Sequence, residues 1–283
     1  MLKELLKGAV IGVANIIPGV SGGTMAVTLG IYDKLIHAVT HIIKEFKESM
    51  KVIIPIVFGA VIGIGGLSFV IKFLFANFPV QTNFLFIGLI IGGLPIILNR
   101  LKATGKKVNA GNAVAAVVFF VVVVGMASIG EAEGNAADVT LNFVNILKLF
   151  VVGVIASGTM IIPGVSGSMV LMIMGYYNTI IDTITLFIKS ALSFDVPGVM
   201  QGVGVLMPFG IGILVGIAVI AKLIELVFDK APNYAYCAIL GLIIASPIAI
   251  IMLSDLAAYN VISVLTGVVT FAVGFLIARK LAE

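Results

Sequence analysis

The heptapeptide Ile16-Ile17-Pro18-Gly19-Val20-Ser21-Gly22 recurs unchanged as Ile161-Ile162-Pro163-Gly164-Val165-Ser166-Gly167. At the same offset Gly30 and Tyr32 meet Gly175 and Tyr177. At a slightly larger one Pro55, Gly59 and Gly63 meet Pro208, Gly212 and Gly216, and Gly88-Leu89-Ile90-Ile91 meets Gly241-Leu242-Ile243-Ile244. Similarity at a fixed offset marks internal duplication. The expected organisation is a single membrane domain, 1–283, made of a first repeat, 1–130, and a second repeat, 143–283.

Between these landmarks lie apolar runs of roughly 20 residues, long enough to cross about 30 Å of hydrocarbon. Apolar residues make up 61% of the chain and charged ones 11%, against about a quarter charged in soluble domains; the mean hydropathy is +1.25. A water-soluble fold is excluded, and the fold class is an all-α polytopic membrane protein. Each half reads as a broken, re-entrant apolar hairpin (8–32 and 146–177), an amphipathic helix (33–50 and 178–194) and three transmembrane helices. The expected spans are 52–75, 83–99, 111–129, 206–228, 234–252 and 260–278.

Charge sets the orientation. Lys3, Lys7, Lys34, Lys44, Lys47 and Lys51 mark one side, together with Arg100, Lys102, Lys106, Lys107, Arg279 and Lys280. By the positive-inside rule that side is the cytoplasm, which holds both termini. The stretch from Gly130 to Asn142 carries Glu131, Glu133 and Asp138 with no basic residue, and is expected to face outward. Three spans between the hairpins put them on opposite faces, so the repeats have inverted topology, an architecture of secondary transporters.

Other classes fall away. The net charge of +4 is spread over short loops rather than along an aromatic-lined basic stripe, so nucleic acid is not a partner. Cys237 is alone, which leaves no disulfide framework or thiolate metal cluster. His37 and His41 share a helix face, but no HExxH glutamate follows the first, so they read as a polar interfacial face and no metal is assigned. Lys3 and Lys7 imitate a signal peptide, yet the following stretch reaches Asn15 and Pro18 without a clean cleavage pattern and reads as retained. No charged ring or continuous polar stripe suggests a channel. The bilayer is a partner, and the sequence permits a homo-oligomer.

The chemistry concentrates at the hairpin tips. Irregular backbone at membrane depth is tolerated only where it is buried in protein or lines a wet cavity. In Pro18-Gly19-Val20-Ser21-Gly22-Gly23-Thr24 the proline stops the incoming helix, the glycines permit positive φ, and Ser21 or Thr24 can cap the outgoing helix. Amides at such a helix start are a natural seat for phosphate or carboxylate, and Pro163 to Met169 offers the same seat in the second half. For a single glycine, tight helix packing is the simpler explanation; seven residues repeated in both halves favour a ligand site. The expected substrate-binding set is Asn15, Pro18, Gly19, Ser21, Gly22, Gly23, Thr24, Ser157, Thr159, Gly164, Ser166, Gly167 and Ser168, with Thr28 a further polar candidate. Asn15 and Thr24 correspond to Met160 and Met169, so the first tip is the more polar. Lys72, matched by Glu225 in the repeat, is the expected outer phosphate contact, against the alternative that it only snorkels to an interface.

The string from Gly12 to Tyr32, GxANIIPGVSGGTMAxxLGIY, and its echo IIPGVSGSM resemble the polyprenyl-phosphate transporter (PopT) family over nearly the whole chain. The resemblance implies a transporter that returns undecaprenyl phosphate from the outer to the inner leaflet of the bacterial cytoplasmic membrane for reuse in envelope synthesis, with no cofactor. The tips also look like the PGxSRSG signature of undecaprenyl-diphosphate phosphatases, the alternative reading. That signature's arginine position is Gly22 in one repeat and Gly167 in the other, and neither hairpin has a glutamate pair, so phosphoryl chemistry lacks its support and no catalytic residue is assigned. Moving an anion inward opposes a negative-inside potential by about 2.3 kcal/mol per charge per 100 mV. Two sources can drive that step: a coupling proton or sodium ion, carried by Asp33 or Asp182, or a downhill lipid gradient maintained by consumption inside.

Overall fold

The computed structural model describes residues 2–15, 20–129 and 137–282, the side chain of Ser68 excepted. Among them the chain is all helical: α1 (Leu2–Ala14), α2 (Gly22–Thr28), α3 (Tyr32–Thr40), α4 (Phe46–Asn77), α5 (Pro79–Ala103), α6 (Ala110–Ile129), α7 (Phe143–Ile161), α8 (Gly167–Ile173), α9 (Tyr177–Leu192), α10 (Val196–Lys230), α11 (Pro232–Met252) and α12 (Val261–Ala282), with a 3-10 turn at Leu256–Ala258. Seven of these, α4, α5, α6, α7, α10, α11 and α12, are long and apolar enough to cross a bilayer. The protein is a multi-pass membrane protein.

All six expected spans are present; α4, α5, α10 and the end of α12 run on by about a turn or more, as in the lead of α10 before Leu206, while α6 and α11 keep close to the expected bounds. The seventh is α7, over residues expected from the sequence to form the incoming arm of a re-entrant hairpin; it is itself long and apolar enough to cross. The outgoing α8 bends by 104° into α9. The helix expected over 33–50 is corrected: it stops at Thr40, and Glu45, at φ −122° and ψ 47°, leaves helical backbone before α4 starts at Phe46. Of the acidic stretch after Gly130, Glu131 and Glu133 lie outside the described residues, as do Pro18 and Gly19.

The chain forms two compact units. One comprises Met1–Ser128, Ile162–Val165 and Ala221–Glu283; the other Ile129–Ile161 and Ser166–Ile220. The first has a core of Val123, Ala127, Leu242, Ala245 and Ala249 between α6 and α11. The second packs Leu149, Val152, Ala156, Leu171, Ile180, Val205 and Phe209 together. Many apolar side chains, such as Val117, Val118, Val121 and Leu214, remain exposed, as hydrocarbon-facing positions require.

The duplication recurs in the packing. In the first unit α1 lies against α4 so closely that a Cβ on Gly8 would sit 2.2 Å from the Ile56 carbonyl oxygen. One on Gly59 would be 2.1 Å from that of Leu5, and one on Gly63 2.2 Å from that of Ala9. In the second unit α7 lies against α10 in the same way: Gly153 meets Phe209, Gly212 meets Phe150 and Gly216 meets Val154, at 2.2, 2.1 and 2.7 Å. Every partner is the repeat counterpart of its equivalent. Between helices in lipid, where hydrophobic driving force is absent, such backbone approach supplies the van der Waals contact.

The turns that end α2 and α8 match as well. Gly30 and Gly175 have φ of +70° and +76°. Gly30 N donates to Val27 O and Ile31 N to Ala26 O, while Gly175 N donates to Met172 O and Tyr176 N to Leu171 O. Both are Schellman caps, which need a left-handed residue that glycine adopts without strain. Phe78 and Ala231, the residues before Pro79 and Pro232, share φ and ψ to within a few degrees, −138°/53° and −141°/57°, because the following proline forbids a helical conformation there.

Candidate functional site

The first tip, in the first unit, is a polar cluster, buried except at the exposed Asn15. Ser21, at φ −110° and ψ 143°, is the N-cap of α2, and its Oγ accepts from Thr24 N at 3.2 Å. Asn15, just past α1, accepts from Gly22 N on Oδ1 at 3.1 Å. Ser21 and Thr24 are 5% and 0% exposed, their hydroxyls 3.3 Å apart, and Gly22 and Gly23 are buried beside them. The helix start is thus capped by the chain's own oxygens at two amides.

The same unit contains Ile162–Val165, and there Gly164 N donates to Thr24 Oγ1 at 2.7 Å and to Ser21 Oγ at 3.2 Å. An amide from the second heptapeptide therefore closes on the hydroxyls of the first. Gly164 has φ +78°, a conformation that favours glycine, and a Cβ there would fit tightly, 3.1 Å from Leu242 and 3.2 Å from Val123.

The remaining predicted residues of the second tip lie in the second unit. Ser166 is the N-cap of α8, accepting from Met169 N at 3.4 Å, with its Oγ 2.9 Å from Ser168 Oγ. Ser157 and Thr159 donate back to Val154 O and Ala156 O of their own helix, at 2.9 and 2.8 Å, which ordinarily satisfies a hydroxyl in an apolar helix. A Cβ on Gly167 would meet Met160 Cγ at 2.5 Å. Lys72 is exposed near the end of α4 and Asp182 is exposed on α9; neither joins a tip cluster among the described residues. Thr28 donates to Met25 O.

Two charged contacts lay beyond the sequence reading. Lys7 Nζ donates to Leu29 O at 2.9 Å, placing a half-buried cation at the carboxyl end of α2, where the helix dipole favours it. Arg100 of α5 pairs with Asp33 of α3, beside Tyr32 and Tyr236 around a cavity of about 10 Å³, room for a single water.

Burial pushes the Asp33 carboxyl above its ordinary range, and the Arg100 guanidinium pulls it only part of the way back. A carboxyl raised in the folded state binds its proton more readily there than in the unfolded chain. Its contribution to stability is then present below the ordinary carboxylate pKa and is lost as pH rises through the folded value. Removing the cation in Arg100→Met raises the Asp33 pKa further and steepens that decline above about pH 4, whereas Asp33→Asn flattens it. Melting curves of purified protein against pH check both.

The VCA0040-like family, described as undecaprenyl phosphate translocase-like, matches residues 11–261, which contain both heptapeptides. The chain is 30% identical to the polyprenyl-phosphate transporter of Staphylococcus aureus (strain NCTC 8325 / PS 47) over 99% of its own length and 95% of the relative's. It is 26% identical to the polyprenyl-phosphate transporter of Vibrio cholerae serotype O1 over 71% and 66%. No solved structure matches the chain. With a family match that runs from α1 into α12 and a relative aligned end to end, the chain belongs to the undecaprenyl phosphate translocase-like family.

Proposed function

We propose that this protein transports a polyprenyl phosphate, undecaprenyl phosphate in the first instance, from the outer to the inner leaflet of the bacterial cytoplasmic membrane. The phosphate sits at the hairpin tips, at Asn15 and Pro18 to Thr24 from the first half and Gly164 to Ser168 with Ser157 and Thr159 from the second. The observation that carries this reading is the junction of Gly164 N with the Ser21 and Thr24 hydroxyls. It gathers an amide donor and two hydroxyls in a buried place, and a phosphate oxygen can take the position each hydroxyl holds toward that amide. The isoprenoid chain stays in lipid.

The two halves are inverted repeats, 1–130 and 143–283, with re-entrant hairpins, and rocking one set of helices against the other exposes the phosphate to each leaflet in turn. Lys72 serves as an outer contact, and Asp33 or Asp182 carries a coupling proton or sodium ion. Both termini are cytoplasmic. Transport unchanged by ionophores would remove the coupling step.

Thr24→Val keeps the shape and removes the hydroxyl that takes Gly164 N at 2.7 Å. An amide left unsatisfied in a buried site costs about 1–3 kcal/mol, so a lower melting temperature and slowed transport are expected, with Thr24→Ser restoring most of both. The direct test uses liposomes containing undecaprenyl phosphate or its diphosphate, with leaflet accessibility and free phosphate followed together. Exchange of the monophosphate without phosphate release supports the transporter; release from the diphosphate would establish a phosphatase instead.

A further inference from the structure

His37 and His41 stand one turn apart on α3, and the fold brings them a third donor distant in sequence. Glu225, near the end of α10 in the same unit, places Oε1 3.6 Å from His37 Nδ1 and 3.2 Å from His41 Nδ1. The two imidazoles stack with centroids 4.1 Å apart, and the three donor atoms lie within 4.8 Å of one another.

We propose that His37, His41 and Glu225 bind one divalent transition-metal ion, zinc by preference, which fastens α3 to the end of α10. Ligand bonds of about 2.0–2.2 Å in a tetrahedron set donors roughly 3.3–3.6 Å apart; the separations to Glu225, 3.6 and 3.2 Å, lie within about 0.1 Å of that range. Two imidazole nitrogens and one carboxylate suit zinc and its neighbours; calcium and magnesium take oxygen ligands. The His37 side chain is 57% exposed, so an ion reaches the site from solvent and a water can fill the fourth position.

The surroundings have the form of an outer shell. Glu45 Oε2 lies 3.5 Å from His37 Nε2, the ring nitrogen turned away from the site, and a carboxylate there holds a ligating imidazole in its tautomer and orientation. Thr40 Oγ1 donates to Glu225 Oε1 at 2.9 Å and lies 3.0 Å from His41 Nδ1, and Lys222 Nζ holds Glu225 Oε2 at 2.5 Å. Lys222 opposes the ion's charge, while its grip on Oε2 leaves Oε1 as the ligand atom. At the matching positions of the other half stand Asp182, Leu186 and Lys72, which cannot repeat this donor set, so the site belongs to one half only.

The test takes the purified full-length protein in detergent, stripped with a chelator, and titrates it with zinc chloride against a chromophoric competitor and separately with cobalt chloride. One ion per chain is expected, with cobalt giving the visible bands of a four-coordinate complex. Affinity is expected to fall about 10-fold in Glu45→Gln and by more than about 100-fold in His41→Ala or Glu225→Gln, since outer-shell losses alone reach 10- to 100-fold. Zinc raises the melting temperature of the wild type and leaves that of His37→Ala unmoved; His37 is exposed, so that variant keeps its fold. Absence of saturable zinc binding, or binding of unchanged affinity in folded His37→Ala and Glu225→Gln proteins, overturns the site. The measurement involves no lipid substrate, so its failure leaves the transport reading where it stood.

Discussion

Gly22→Val is expected to yield a folded, membrane-inserted protein that no longer moves polyprenyl phosphate. A Cβ at Gly22 would lie 2.7 Å from both Asn15 amide atoms. That obstacle is the far end of a flexible side chain, so Asn15 swings aside and the fold survives. The movement breaks the 3.1 Å hydrogen bond from Gly22 N to Asn15 Oδ1, and the branched side chain covers the amides that open α2. A hydrogen bond to a charged group contributes about 1.5–3 kcal/mol, so each amide denied to phosphate slows transport roughly 10- to 150-fold, and blocking two takes it below detection. Gly22→Ala moves Asn15 without covering the amides and is expected to be milder. Leaflet-accessibility assays on reconstituted protein, with gel filtration and circular dichroism showing that it is folded, measure this. Wild-type transport by Gly22→Val would remove the first tip from the phosphate site.

Gly59→Val is expected to act on the opposite property, abolishing the fold rather than the activity. Its Cβ would lie 2.1 Å from Leu5 O, 2.9 Å from Leu5 C and 3.0 Å from Ala9 N. All three are backbone atoms of α1, so no rotamer change relieves the clash and the helices must separate. Overpacking a core costs about 1–3 kcal/mol even where side chains can adjust, and here they cannot. Gly212→Val meets Phe150 O at 2.1 Å in the second unit and is expected to be as damaging. Gly66, in the same helix as Gly59, has nothing within 4 Å; Gly66→Ala is expected to stabilise by about 0.5–1 kcal/mol through helix propensity. Yield of monodisperse protein and melting temperature compare the three, and a stable Gly59→Val would refute the close α1–α4 packing.

Much of the architecture was legible because it follows from local rules. Runs near 20 residues with few charges became α4, α5, α6, α10, α11 and α12, since a helix satisfies its own backbone wherever lipid removes water. Gly30 and Gly175, matched by the duplication, are the two Schellman glycines. Ser21 and Ser166 cap the outgoing helices as their positions suggested. The end of the first amphipathic helix is not legible, because the stretch from His41 to Lys51 contains no proline or glycine, and only the backbone from His41 to Glu45 marks the break.

The sequence by itself determined that this is a duplicated, all-helical membrane protein with polar, glycine-rich tips, because hydropathy, turn chemistry and repetition are local or self-referential properties. Which groups meet was decided by the tertiary structure alone. Gly164 N finds Ser21 and Thr24, Arg100 finds Asp33, and Glu225 finds His37 and His41, each across a separation over which no periodicity or motif acts. Those pairings follow from how closely glycine-lined helices approach and at which turn they stop, and a donor or ligand acquires its role only when that packing brings its partner within about 3 Å.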